Sequence, residues 1–220
     1  MVKQDTVAAT KSLEKQTELT TVLRNMGSVV IAYSGGVDSA FLANSATNVL
    51  GTKALSVTAN SPSLAPTELE ESVKVAKALG LNHRIIDTQE VDREDYKTND
   101  PNRCYFCKEE LYTHLESLAQ SEGYNLVINA HNADDSLSFR PGMNSAKHRG
   151  VRSPLVEVGL TKQEIRHLSK NAGLPTWNKP SQACLSSRIP YGTPVSVEAL
   201  TRISKAEKYL RDLGLDQVRV

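Results

Sequence analysis

The stretch Ser34-Gly35-Gly36-Val37-Asp38-Ser39 decides the fold of this chain. It follows an apolar, β-type run at 28–33 and precedes Ala-Phe-Leu-Ala at 40–43, which is typical of a helix. Such a strand, glycine turn and helix start form an anion site, because backbone N–H groups approach a phosphate and the helix N-terminus adds partial positive charge. The alternative is an ordinary strand–helix turn. No lysine follows the glycines, so this is not the phosphate loop that ends in Gly-Lys-Ser/Thr.

The composition argues against a membrane protein and gives no overall signal for nucleic acid. The 220 residues include 26 Lys and Arg and 25 Asp and Glu, a net charge of +1, so no global field attracts a polyanion. No apolar stretch is long enough to span a bilayer, and residues 1–15 lack a signal-peptide pattern. We therefore expect a soluble, cytoplasmic protein with its own core and with no membrane or nucleic-acid partner.

Short apolar runs alternate with helical periodicity along the chain. Strands are predicted at 28–33, 54–59, 84–87 and 126–130, and one of the helices between them at about 104–120. Strands separated by helices predict an α/β fold, a doubly wound parallel sheet with helices on both faces. Residues 216–220 resemble the opening of a further strand.

Capping patterns predict where several helices begin. Two capping boxes, 67–70 and 161–164, each start a helix, and the second has Leu160 and Ile165 as its hydrophobic staple. A final helix follows Ser196 and ends near Gly214. The side chains predicted to face inward from the first and last of these helices are Leu69, Val73, Ala76 and Leu79, then Leu200, Ile203, Leu210 and Leu213.

Three cysteines form the second chemical signal. Cys104 and Cys107 are spaced to share one face of a helix, and Cys184 lies in a distant loop. Without a signal peptide the thiols indicate metal or redox chemistry in a reducing compartment. Four interpretations remain open: a [4Fe–4S] cluster with one open iron, a zinc site completed by His114 or His131, a redox pair without Cys184, or ordinary thiols.

Two polar segments are further candidates for the site. Residues 132–135 follow the fourth strand, and Asp134 and Asp135 there could bind Mg²⁺ or cap the next helix, of which capping is the better supported. The long polar loop at 177–192 is of the kind that carries function. Within it, Arg188 could bind a phosphate or carboxylate bidentately, or form a surface salt bridge.

The loop at 34–39 resembles the SGGxDS loop of the PP-loop ATP pyrophosphatases, which cleave ATP to AMP and pyrophosphate. Together with the segments 103–108, 132–135, 140–142 and 184–192, it makes the chain similar to the LarE family of ATP-dependent sulfur transferases. These segments run in family order along nearly the whole chain. The resemblance implies a PP-loop, adenine nucleotide α-hydrolase-like domain over 1–195 and, over 196–220, the start of a C-terminal helix/strand appendage.

The resemblance also implies a two-step reaction on a pyridinium-dicarboxylate mononucleotide, in nickel-pincer cofactor biosynthesis. A substrate carboxylate attacks the α-phosphate of ATP to give an acyl-adenylate, and sulfur then displaces AMP to leave a thiocarboxylate. Family members with a single cysteine, at the position of Cys184, sacrifice its sulfur. For members with three cysteines, as here, the resemblance implies a [4Fe–4S] cluster that delivers an added sulfide, and hence catalytic turnover. ATP, Mg²⁺, the cluster and a sulfide or other sulfur donor are therefore expected.

The resemblance assigns roles to individual residues. The nucleotide-binding set is Ser34, Gly35, Gly36, Asp38, Ser39, Asn60, Arg188 and Arg219, of which Asp38 also holds Mg²⁺ and the two arginines are candidates for the substrate's phosphate. The catalytic set is Asp38, Lys108, Cys184, Arg188 and Glu207, and the cluster ligands are Cys104, Cys107 and Cys184. A homo-oligomer is expected. One departure is Ser-Leu-Ser-Phe at 136–139, where family members often carry an extra acidic residue before the Arg-Pro-Gly of 140–142.

Three other functions compete with this interpretation. A PP-loop tRNA thiolase also combines this loop with cysteines, but the near-zero net charge and few aromatic residues count against RNA binding. A nucleotide-binding module without enzymatic activity would show no ATP cleavage. Amidating relatives that use ammonia would not need the three cysteines.

Overall fold

The computed structural model describes residues 2–137, 141–215 and 217–220, and it describes side chains for residues 10–135, 141–215 and 217–220. Its sheet is parallel and has the strand order β3-β2-β1-β4. The strands are β1 (Val29–Ala32), β2 (Ala54–Asn60), β3 (Asn82–Asp87) and β4 (Leu126–Ile128). Val29 of β1 lies opposite Ala54 of β2 and Leu126 of β4, so β1 is central. The predicted α/β parallel fold is confirmed.

Helices connect and cover these strands. Four short 3₁₀ turns lie at Gly51–Lys53, Glu90–Asp92, Ala133–Leu137 and Leu185–Arg188. The helices are α1 (Val2–Met26), α2 (Val37–Leu50), α3 (Pro66–Ala78), α4 (Glu94–Lys97), α5 (Arg103–Glu122), α6 (Pro141–His148), α7 (Pro154–Glu157), α8 (Lys162–Asn171) and α9 (Val197–Asp212). In the described part of the chain, no helix has the length and apolarity to cross a bilayer.

The central strand divides the core into two layers. Val29 and Ile31 pack with α1, α2 and α8, whereas Val30 packs with Tyr112 and Leu115 of α5. This alternation is the period of two that a strand imposes when both its faces are covered. A third apolar cluster packs Tyr96 of α4 and the loop before α9 against α9 itself. Its other members include Val91, Leu185, Ile189, Val195 and Leu200.

Two of the predicted helix starts are confirmed in detail. The Thr161 amide donates to Glu164 Oε2 at 2.9 Å, and the Glu164 amide donates to Thr161 Oγ1 at 3.3 Å, which completes the capping box of α8. Leu160 and Ile165 are both fully buried, as expected of a staple. Ser196 accepts the Ala199 amide at 3.2 Å and caps α9.

Three of the finer predictions are wrong. Helix α3 begins at Pro66 with Ala65 as its N-cap, so Thr67 lies inside the first turn and forms no capping box; the fixed φ of proline favours the first helical position. The buried face of α3 is centred on Ser72, Val75 and Ala76, which leaves Val73 exposed. Leu213 lies past the end of α9 and is 63% exposed.

Two predictions concern the segments at 216–220 and 136–142. Residues 217–220 form no strand in the structure. Residues 138–140, which include the arginine of the Arg-Pro-Gly segment and half of the departure at 136–139, lie outside the described residues.

Candidate active site

The glycine loop after β1 is built for close approach of an anion. Gly35 has φ +72°, and a Cβ there would lie 2.8 Å from the Cα of Ser72, so only glycine fits. Gly36 is the N-cap of α2, and Ser39 Oγ accepts the Ser34 amide at 3.2 Å and donates to the Gly36 carbonyl at 3.1 Å. The loop is therefore held open at the N-terminus of a 14-residue helix, where an anion is stabilised.

The two carboxylate oxygens of Asp38, in the first turn of α2, differ in their hydrogen bonds to the described residues. Its Oδ2 accepts from Lys162 Nζ at 2.6 Å and from Asn132 Nδ2 at 3.3 Å. Its Oδ1 is buried and has no hydrogen-bond partner among the described residues. Burial raises the pKa of Asp38 above its usual value, although the hydrogen bond from Lys162 opposes the rise. An orphaned carboxylate oxygen beside a phosphate loop fits a Mg²⁺ ligand.

Lys162 supplies the cation that the loop itself lacks. It is the first residue of α8, 124 positions after Asp38, and its side chain reaches back to the loop. Nothing in the local sequence marks it, because the pairing depends on α8 packing beside α2. The predicted capping at 132–135 is observed in part: Asp135 Oδ2 accepts the Asn132 amide at 3.1 Å at the start of the next 3₁₀ turn, whereas Asp134 Oδ2 accepts the Lys162 amide at 2.8 Å and so caps α8, a later helix.

A cavity of about 340 Å³ opens beside the glycine loop, at the carboxyl ends of β1 and β2. Ligands in open α/β sheets bind at this edge. The predicted site residues in its wall are Ser34, Gly36, Cys107, Lys108, Cys184, Arg188 and Glu207. Those that do not line it are Gly35, Asp38, Ser39, Asn60, Cys104 and Arg219. Asn60 instead donates to Asp87 Oδ1 at 2.7 Å on the surface, and Arg219 is exposed.

Glu207 and Arg188 form a buried ion pair in the cavity wall. Glu207 is fully buried and accepts from Arg188 Nε at 2.6 Å and from Arg211 Nη2 at 2.8 Å. Burial is the largest single effect and by itself would raise the pKa of Glu207, but the hydrogen bonds and charge of Arg188, the Val220 amide and the charge of Arg211 together hold that pKa below its ordinary value. Arg188 Nη1 also donates to the carbonyl of Cys184 at 2.9 Å. Arg188 therefore ties the cysteine loop to α9, and the alternative of a surface salt bridge is wrong.

The three cysteines share one neighbourhood without converging on one point. Cys104 and Cys184 are exposed, and Cys107 is half-buried at the start of α5. Burial raises the pKa of Cys107 to about 12; the Lys108 ammonium opposes the rise, while Glu90 and the other two cysteines add to it. Within the described residues, no three His, Cys, Asp or Glu side chains are placed to hold one metal ion. The described residues thus form no zinc site with His114 or His131, and the His114 ring contacts Glu110.

The same three thiols fit the donor chemistry of an iron–sulfur cluster. Each cysteine in such a cluster binds a different iron, so the sulfur atoms need not meet at one position. Soft thiolate ligands favour iron–sulfur centres. Cys107 and Cys184 line the cavity that the glycine loop also lines.

Comparison with known proteins identifies the family. The profile of the NAD synthase family matches residues 10–122. The chain is 33% identical to the pyridinium-3,5-bisthiocarboxylic acid mononucleotide synthase of Lactiplantibacillus plantarum, over 94% of this chain and 75% of that protein. The chain belongs to the LarE family of NAD synthase-like, PP-loop enzymes.

The chain is also similar to a second curated protein and to a solved structure. An uncharacterised protein of Synechocystis is 51% identical, over 87% of this chain and 71% of that protein. Among solved structures, NMN synthetase from Francisella tularensis has a TM-score of 0.61 at 21% identity, over 95% of this chain and 98% of that chain, which shows the fold alone. As a LarE-family member with this loop, the protein is an ATP-using enzyme.

Proposed function

We propose that this LarE-family protein is an ATP-dependent sulfur transferase of nickel-pincer cofactor biosynthesis. Its substrate is a pyridinium-dicarboxylate mononucleotide, and its product carries a thiocarboxylate. One observation carries the proposal: a single cavity is lined by the glycine loop on one side and by Cys107, Lys108 and Cys184 on another. This arrangement puts a place for ATP cleavage beside a place for sulfur. The mononucleotide named for the Lactiplantibacillus relative supplies the substrate class.

The first step activates the carboxylate. A substrate carboxylate oxygen attacks the α-phosphorus of ATP, the bond to the β-phosphate oxygen breaks, and pyrophosphate leaves. This step is needed because a carboxylate is a poor electrophile until AMP becomes its leaving group. The backbone N–H groups at the start of α2 and the Lys162 ammonium would stabilise the charge on pyrophosphate. Asp38 would hold Mg²⁺, which supplies further positive charge at the leaving group.

The second step transfers sulfur. A sulfur nucleophile attacks the acyl carbon, and AMP leaves with the bonding electron pair. A [4Fe–4S] cluster on Cys104, Cys107 and Cys184 would supply an iron with an open position for an added sulfide. Lys108 follows Cys107 directly, where its ammonium favours the thiolate that ligation requires. In this proposal Cys184 is a ligand and survives turnover.

ATP–pyrophosphate exchange tests the proposed function. Purified protein with Mg²⁺, ATP and labelled pyrophosphate is assayed with and without the mononucleotide. We expect exchange only when the mononucleotide is present, because the carboxylate is the attacking group. Exchange without it, or exchange with transfer RNA in its place, would contradict the proposal and favour another acceptor.

Replacement of Cys107 by serine tests the cluster. After anaerobic reconstitution we expect about four irons per wild-type chain and less than one per Cys107→Ser chain, since hydroxyl oxygen is a poor ligand for these irons. Tyr105→Phe, on the same turn of α5, is the matched control and should keep its iron. Equal iron in both variants would rule out the cluster. A wild-type chain lighter by one H₂S after turnover would instead show that Cys184 gives up its own sulfur.

A further inference from the structure

The charges in the cavity wall leave one carboxylate without a counter-ion. Three described carboxylates line the cavity: Glu68, Glu90 and Glu207. Glu207 is paired with two arginines, and Glu68 lies 3.0 Å from Lys179 Nζ. Glu90 forms no ion pair with any residue that the structure describes.

Glu90 is nevertheless buried deeply. Its side chain lies in the turn Glu90–Asp92 after β3, and the residue is 1% exposed. Oε2 accepts from Thr88 Oγ1 at 3.2 Å, whereas Oε1 is buried with no hydrogen-bond partner in the described part of the chain. The Thr88 amide donates to the carbonyl of Asn60 at 3.1 Å, which fixes this turn against β2. Burying a carboxylate without a cation or a full set of donors destabilises a fold. The placement of Glu90 therefore indicates that a group of a bound ligand faces it in the cavity.

The chemistry of the two proposed substrates limits what that group is. Their phosphates and carboxylates would be repelled by Glu90. What remains is a neutral donor, such as a ribose hydroxyl, or a cation. The mononucleotide contains one fixed cation, the pyridinium ring, whose nitrogen bonds to the ribose and cannot lose its charge by deprotonation.

We propose that Glu90 is the counter-ion of the pyridinium ring, and this inference rests on the proposed function. Glu90 lies close enough to Cys107 for its charge to act on that thiol, and Cys107 and Cys184 line the same cavity. A ring held against Glu90 is therefore held beside the sulfur ligands. The attraction is strong because the carboxylate is already out of water, where charges interact through a low dielectric.

A comparison of the charged mononucleotide with a form whose ring carries no charge tests this assignment. The pyridinium-3,5-dicarboxylate mononucleotide and its 1,4-dihydropyridine form differ by one hydride at C4, and both keep the phosphate, the ribose and the two carboxylates. Binding of each is measured by anaerobic calorimetry to the wild type and to Glu90→Gln. Glu68→Gln is the matched control. It also removes a carboxylate from the cavity wall, but Lys179 already neutralises that carboxylate.

We expect the wild type to bind the pyridinium form about tenfold more tightly than the dihydro form, the scale of one charge-assisted contact. Glu90→Gln should bring that ratio to about one, because glutamine has nearly the same shape and keeps one acceptor oxygen but removes the negative charge. Glu68→Gln should keep the wild-type ratio.

Several results would overturn the assignment. Equal affinity of the wild type for the two forms would exclude a counter-ion role for Glu90. This result does not depend on whether any variant folds. An unchanged ratio in Glu90→Gln assigns the charge recognition to another group, and a parallel loss for both forms indicates a hydroxyl contact or a structural role. If neither form binds while ATP does, the proposed substrate is wrong and the inference falls with it; binding with equal affinities overturns the inference alone.

Discussion

Asp38→Asn is expected to lower the rate of ATP–pyrophosphate exchange by about 10²- to 10³-fold, the usual loss when one preorganised electrostatic contact to a reacting phosphate is removed. The reason is local. Asp38 Oδ1 is buried beside the glycine loop with no partner among the described residues, and it is the oxygen that fits Mg²⁺. Asparagine keeps the shape of the side chain and removes the charge that the metal needs. Initial exchange rates at saturating ATP, over a series of Mg²⁺ concentrations, measure the loss.

Two further variants separate the metal role from general damage. Asp212→Asn, at the end of α9, removes a surface carboxylate that pairs with Lys208 and should leave exchange unchanged. Lys162→Met removes the cation from Asp38 Oδ2, and we expect it to weaken pyrophosphate binding in calorimetry while Mg²⁺ dependence persists. Wild-type exchange in Asp38→Asn would show that Asp38 is not a metal ligand.

Arg188→Met is expected to lower the free energy of unfolding by up to about 3–5 kcal/mol, because breaking this buried ion pair leaves the buried Glu207 with only the partly exposed Arg211 as its cation. The Arg188 side chain is 3% exposed and that of Glu207 is fully buried, so water cannot replace the lost contact. For a chain of this size the corresponding fall in Tm is about 6–20 °C. Thermal unfolding followed by circular dichroism measures it.

The destabilisation by Arg188→Met should depend on pH in a defined direction. The pKa of Glu207 is depressed in the folded protein, so its ionised form stabilises the fold at pH values above the unfolded carboxyl pKa, about 4.3. That contribution is lost as the pH falls through the folded pKa, and the difference between wild type and variant should narrow there.

Arg152→Met is the matched control for the buried pair. Arg152 forms a half-exposed ion pair with Glu157, and removing a pair of that kind costs at most about 1 kcal/mol. If Arg188→Met were no less stable than Arg152→Met, the Glu207 pair would not support the fold.

Much of the fold follows from local pattern. The apolar runs of β1, β2 and β4 and the capping box at Thr161 each depend on neighbouring residues, and both kinds of prediction are confirmed. The failures have equally local causes. Pro66 starts α3 one residue before Thr67, so Thr67 is not its N-cap. Val73 follows the buried Ser72 directly, and that one step along the helix takes its side chain out of the buried face.

The candidate site likewise has features that follow from contiguous sequence and features that only tertiary packing sets. The sequence by itself determined the glycine loop, the Cys104–Cys107 spacing and the motif around Cys184, because each is a contiguous stretch whose chemistry depends on residue type and spacing. The tertiary structure alone decided that Lys162 reaches Asp38, that Arg188 is buried on Glu207, and that Glu90 lies in the cavity wall with no counter-ion among the described residues. These pairings join residues far apart in the chain, and only the packing of α8, α9 and the turn after β3 around the sheet sets their distances and removes water from between them.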